Sequence, residues 1–192
     1  MSSMKIDVGM TAEQLKAKWK ATFDFVAGRV FTWTEDHAMA YLAEQAQHCM
    51  NIVESGTYMG ASALMMLEST GLSRVFCVDP FEVAGTEKVT RYFLEEYIQE
   101  GRAHVMPMKS EPAAAKLKEM GLEGKIDMVW VDDGHAYEDV CYDIDCWLPM
   151  LKKNGLLCGH DFDPGSEVAR AVKDKLPTFS EPVGRLWAHI KP

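Results

Sequence analysis

The stretch Asn51-Ile-Val-Glu-Ser-Gly56-Thr-Tyr-Met-Gly60-Ala-Ser62-Ala-Leu-Met-Met-Leu67 decides the fold. A short apolar run, Asn51–Glu54, enters a turn with two glycines, and a helical stretch over about 60–69 follows. A strand, glycine turn and helix in that order let a ligand approach bare backbone at the positive end of the helix. The same alternation continues along the chain. Further strands are expected at Arg74–Val78, Ala103–Met106, Ile126–Val131 and Leu156–Gly159, with helices at about 84–99, 111–119, 137–151 and 165–175. Thr178–Lys191 is expected to add one or two closing strands. Strict alternation implies a doubly wound, mainly parallel α/β sheet of about seven strands, covered on both faces. In such a sheet ligands sit at the carboxyl ends of the strands, so chemistry is sought just after each strand.

Upstream, the first fifty residues read as helical. Thr11 and Gln14 form a capping box, with Leu15, Trp19 and Phe23 at helical spacing, and a second helix begins near Thr34 with Ala38, Tyr41, Leu42 and Ala46 facing inward. The expected organisation is one domain over 1–192, in which 1–50 is a helical extension or lid and 51–192 is the core. With no insertion after the fourth or fifth strand, a lid has to come from residues 1–45 or from a partner subunit of a homo-oligomer.

Composition narrows the class of partner. The chain carries 20 Lys and Arg against 29 Asp and Glu, net −9, and no basic cluster that would track phosphates, so a nucleic-acid partner is not expected. No run of 18 apolar residues suggests a membrane span, and Met1–Asp7 has no apolar core of a secretion signal. Five cysteines without a CxxC pair read as reduced thiols, and a cytoplasmic location is expected.

The strand ends supply the candidate site. Asp79 follows the second strand and is placed to accept hydrogen bonds from the two hydroxyls of a ribose, or else to begin a turn before Pro80. The first turn, Glu54-x-Gly56-x-x-x-Gly60, differs from the GxGxxG of pyrophosphate binders. Its acid would repel a pyrophosphate and suits a ligand bearing an ammonium and a sulfonium. The fourth strand ends in Asp132-Asp133-Gly134-His135 and the fifth in His160-Asp161-Phe162-Asp163. Neighbouring strands would bring both clusters beside the glycine turn. Clustered carboxylates call for a cation. Asp132, His160 and Asp161 are therefore candidate ligands of a divalent metal, and His135 a candidate proton acceptor with Asp132 beside it. Asp133 reads as a turn residue before Gly134.

From about residue 50 to 190 the chain resembles the class I S-adenosylmethionine-dependent methyltransferases. Glu54-Ser-Gly-Thr-Tyr-Met-Gly60 is similar to their glycine-rich first motif, with Ser55 where an apolar residue is usual, and Asp79 to their ribose-binding acid. The resemblance implies S-adenosylmethionine as cofactor. It places Thr57, Tyr58 and Ser62 near the methionine portion and Ser110, in Met108-Lys-Ser-Glu111, near the adenine. The segment 131–162 looks like the branch of macrocin-type and cephalosporin-hydroxylase-like proteins, more distantly like catechol O-methyltransferases. Those relatives imply magnesium held at the places of Asp132 and of His160–Asp161, and a proton acceptor at the place of His135. His160 departs from their pattern, and a nitrogen ligand suits manganese, iron or zinc better. Either the metal differs, or His160 orients substrate, or no metal binds. The implied reaction is methylation of a hydroxyl on a small molecule such as a sugar, polyketide or phenol. Rival readings are a silent cofactor-binding module, a metal phosphohydrolase suggested by His160-Asp161 with His135, and a nicotinamide oxidoreductase.

Overall fold

The computed structural model describes residues 9–192; Met1–Asp7, read above for a secretion signal, lie outside the described residues. Strands β1 (Asn51–Ser55), β2 (Arg74–Val78), β3 (Ala103–Met106), β4 (Ile126–Val131), β5 (Leu151–Gly159) and β6 (Trp187–Ile190) form one sheet in the order β3-β2-β1-β4-β5-β6. The first five run parallel and β6 pairs antiparallel with β5. The sheet thus has six strands where seven were expected. Thr178–Lys191 gives one strand and a single bridge, Ser180 to Ala188, which is too short to make another.

Alternate residues of each strand feed two separate cores. Ile52, Val75, Cys77, Met128 and Trp130 point to one face, where α1 (Ala12–Ala27), α2 (Asp36–Ala46) and α3 (Ala61–Glu68) pack. Val53, Phe76, Val78, Val129 and Val131 point to the other, under α6 (Ser110–Glu119), α7 (Tyr137–Trp147) and α8 (Glu167–Lys175). Burial on both faces is why these strands read as continuous apolar runs. Each fully buried large side chain contributes about 1.5–3 kcal/mol to holding the layers together.

Local chemistry sets the helix ends. Thr11 accepts from the Gln14 amide while the Gln14 side chain accepts from the Thr11 amide, completing the capping box of α1. The helix expected over 84–99 is two, α4 (Thr86–Phe93) and α5 (Glu95–Gln99), broken where Leu94 leaves helical geometry and is fully buried. The helix expected to reach 151 stops at Trp147, since Leu148 is the last residue whose amide closes the ladder and Pro149 has no N–H to continue it. That frees Leu151 to start β5 five residues early, with a register irregularity between Ile126 and Met128. All five cysteines are free, and no helix among the described residues is long and apolar enough to cross a membrane.

Candidate active site

The sheet order reverses between β1 and β4, and there the carboxyl ends of the strands open onto a cavity of about 690 Å³. Gly56, Thr57, Tyr58 and Ser62 line it from the β1 turn, Asp79 from β2, Asp132, Asp133 and His135 from β4, and His160 and Asp161 from β5. Residues separated by more than a hundred positions therefore meet in one space.

The β1 turn is built around Gly56. Its φ is +91°, and a Cβ there would fall 2.2 Å from the Asp132 carbonyl oxygen, so only glycine lets the turn pass over the end of β4. Gly60 caps α3 with φ +86°, but a Cβ on it would meet the Thr90 methyl at 3.2 Å, on α4. Gly60 serves helix packing and does not line the cavity. Glu54 is fully buried and accepts a hydrogen bond from the Ser62 hydroxyl, while its Oε2 has no partner; Thr57 Oγ1, also buried, has none either. Burial pushes the Glu54 carboxyl up to about 8. Glu54 stands behind the wall, reached through Ser62, which lines it.

Asp79 is held by the backbone. The Tyr58 amide donates to its Oδ2 at 2.7 Å and the Phe81 amide to its Oδ1 at 2.5 Å. Both oxygens keep lone pairs free for a diol. Ser110 does not reach the cavity. Its hydroxyl is engaged with Ser55 and Asp143 and accepts from the Trp147 indole at 3.1 Å, all buried. This network braces the residue before the glycine turn, and burial pushes Asp143 up to about 6.

At the β4–β5 end the ligand-type atoms of Asp132, His135 and Asp161 lie within 4.8 Å of one another. The expected set had His160 in place of His135. His160 instead turns its Nε2 to Glu35 Oε2 at 2.6 Å, at the start of α2, with Nδ1 3.4 Å from Asp161. His135 Nε2 lies 2.6 Å from Asp161 Oδ2, and this contact raises the imidazole above its ordinary value. Burial pushes Asp132 up to about 6. Asp161, on a backbone with φ +59°, is held well below the usual carboxylate range by His135 and then His160.

Three features of the cavity escaped sequence reasoning. Arg185 Nη2 lies 2.6 Å from Asp161 Oδ1 and the same distance from Asp163 Oδ2, bringing a fixed cation to the site from the loop before β6. Glu35 ties the second helix to His160. Phe31, Thr32, Trp33 and Thr34, between α1 and α2, form one wall, which lies within the segment expected to supply a lid. No local pattern marks these residues. Only the exposed apolar pair in a polar helix–helix connection offered a hint.

Residues 53–162 match a family model described as a methyltransferase domain. The chain belongs to that family. Among solved structures, an O-methyltransferase from Bacillus cereus in complex with SAH superposes with a TM-score of 0.68 at 16% identity, covering 94% of this chain and 100% of that one. A Podospora anserina methyltransferase bound to SAH gives 0.64 at 17%, covering 92% and 87%. At such identities the likeness is one of fold, and the fold is that of the class I methyltransferases. An uncharacterised protein of Acanthamoeba polyphaga mimivirus is 23% identical over 115 residues, 59% of this chain, and the match spans about half (52%) of that relative's length.

Proposed function

We propose that this methyltransferase moves the sulfonium methyl group of S-adenosylmethionine to a hydroxyl oxygen of a small-molecule acceptor. The observation that carries the reading is the cavity itself, where a glycine turn, a backbone-anchored Asp79 and the Asp132–His135–Asp161 cluster face one space. The residues fit the cofactor. Asp79 offers both oxygens to a ribose diol, and Thr57 Oγ1, without a partner in the cavity wall, fits a ligand that brings polar groups to the turn, with the Glu54 acid behind Ser62 favouring a positive charge there. The SAH reported in two structures of this fold is the demethylated form of that cofactor, which supports the assignment.

In the transfer the sulfur–methyl bond breaks as an oxygen–methyl bond forms, and the acceptor proton leaves to a base. Holding donor and acceptor in line supplies most of the rate. Asp132, His135 and Asp161 are the residues that would hold a divalent ion, a mixed oxygen and nitrogen set that suits manganese, iron or zinc. When bound, such an ion supplies positive charge that favours the acceptor as its oxyanion. A second reading rests on Arg185, whose guanidinium already balances Asp161. His135 then keeps its Nε2 proton on Asp161 and receives the acceptor proton at Nδ1.

Incubation with labelled S-adenosylmethionine and a panel of hydroxylated metabolites, with divalent ions or with chelator, tests both. Loss of turnover on chelation and in Asp132→Ala supports the ion. Turnover indifferent to chelator but about a hundredfold slower in His135→Ala supports the second reading. Absence of labelled product with every acceptor, together with no cofactor binding, would overturn the function.

A further inference from the structure

Two aromatic side chains in the cavity wall have no place in the chemistry described so far. Trp33 is 79% exposed and Phe31 52%, their rings meeting edge to face with centroids 4.7 Å apart. Neither belongs to a core cluster, whereas Trp130, Trp147 and Trp187 are fully buried. An exposed indole at a cavity mouth leaves a large apolar face in water, and a flat ring laid on it would remove that area.

The charge of the same cavity is one-sided. Five carboxylates line it, Asp79, Glu82, Asp132, Asp133 and Asp161, against one guanidinium and two imidazoles. Arg185 is spent on Asp161 and Asp163. Among the described residues, Glu82 and Asp133 line the cavity with no hydrogen-bond or ion-pair partner for their side chains. Apart from any ion held by the Asp132–His135–Asp161 cluster, an anionic acceptor meets no free cation among the described lining side chains and is repelled by Glu82 and Asp133, whereas a cationic one gains both from these acids and from the indole face.

We infer that the acceptor is a flat aromatic hydroxyl compound, neutral or positively charged, held against Phe31 and Trp33, and that an acidic acceptor is rejected by the carboxylates of the cavity. This rests on the proposed methyl transfer and names the substrate class of the same site. Trp33 is then a specificity-determining residue supplied by the connection between α1 and α2.

The test uses the full chain saturated with SAH and three matched probes, 4-hydroxybenzylamine, 4-hydroxybenzyl alcohol and 4-hydroxybenzoate, titrated by quenching of the exposed tryptophan and by calorimetry. The cation is expected to bind tightest and the anion about tenfold more weakly, with the gap narrowing as salt is raised. Trp33→Ala should weaken the cation about tenfold and Trp33→Phe should restore most of the loss, while SAH binds all variants equally. Glu82→Gln should narrow the cation–anion gap about threefold. Trp33 is exposed, so its replacement leaves folding intact. Equal binding of the three probes, or a Trp33→Ala variant that binds them as before, would overturn the inference and leave the cofactor reading standing. Failure of SAH itself to bind would overturn both.

Discussion

At the β1–β2 end of the cavity polar atoms are buried without partners, whereas at the β4–β5 end they have found one another. Glu54 Oε2 and Thr57 Oγ1 are unsatisfied, and Asp79 is fixed by two amides with lone pairs to spare. Asp161, by contrast, meets His135, His160 and Arg185, and His160 in turn meets Glu35. The first end presents polar groups whose pairing a ligand would complete; the second is already paired and must give up an internal pair when a ligand or ion arrives. A cofactor that every turnover needs suits the first arrangement. An acceptor that must be chosen suits the second.

The sharpest way to break this picture is at Gly56, which joins the two ends by passing over Asp132. Gly56→Ala would drive a methyl into the Asp132 carbonyl and impose a left-handed backbone on alanine. The expected loss is on the order of 4 kcal/mol of stability, within the range of severe overpacking with strain, together with loss of SAH binding. Chemical denaturation of the purified variant measures it. A variant that unfolds like the parent and still binds SAH would mean that the turn is free to move.

Next in size is the effect of burying the Glu54 carboxyl at the first end. Glu54 in the folded chain is pushed up to about 8, against about 4.5 when unfolded, so between those values the folded state holds a proton that the unfolded state has released. Stability should therefore be greatest below pH 4.5 as far as this group is concerned, fall as pH rises through the window, and reach its minimum above 8. Glu54→Gln removes that slope and should gain about 3 kcal/mol relative to the parent near pH 8. Denaturation midpoints of both proteins at pH 5 and pH 8 decide the matter; parallel midpoints would mean that Glu54 is compensated by a group other than a ligand.

Legibility in the sequence divides along the same line. The glycine turn, Asp79, Asp132, His135 and Asp161 were placed at one edge by strand alternation alone, because position after a parallel strand is a local property. Ser110, placed near the adenine only by the family resemblance, faces inward, since its hydroxyl is claimed by Ser55, Asp143 and Trp147, partners 33 to 55 residues away in the chain. His160 reads as a ligand or a substrate contact, and nothing local in the sequence marks its partner Glu35, 125 residues distant. Arg185 and Trp33 follow no strand of the parallel set and enter the site only through tertiary packing. Reading recovered what the sheet positions and missed what the loops bring.

Asp79→Ala sharpens the comparison at the first end. It removes the proposed ribose contact and leaves the Tyr58 and Phe81 amides without their acceptor. SAH affinity should fall by about 1.5–3 kcal/mol, the scale of a lost charged hydrogen bond, as read by calorimetry. Unchanged affinity would place the ribose elsewhere.

The smallest effect is expected at Gly60, which the sequence presents as the twin of Gly56. Both have positive φ, but their surroundings differ. A Cβ at Gly56 meets rigid backbone at 2.2 Å, whereas one at Gly60 meets the Thr90 methyl at 3.2 Å and Leu94 Cδ1 at 3.6 Å, side-chain atoms that can yield by a few tenths of an ångström. What resists is the backbone conformation at φ +86° and the tether of Thr90, whose hydroxyl donates to the Tyr58 carbonyl at 2.9 Å. Gly60→Ala should thus cost about 1–2 kcal/mol of stability, the usual penalty of an L-residue in the left-handed region. It should leave SAH affinity within about threefold, the change corresponding to a few tenths of a kcal/mol passed on through Tyr58. Thermal denaturation and calorimetry on the same preparation separate the two quantities. If affinity fell by as much as in Asp79→Ala while stability held, Gly60 would belong to the ligand surface after all, and the distinction drawn between the two glycines would fail.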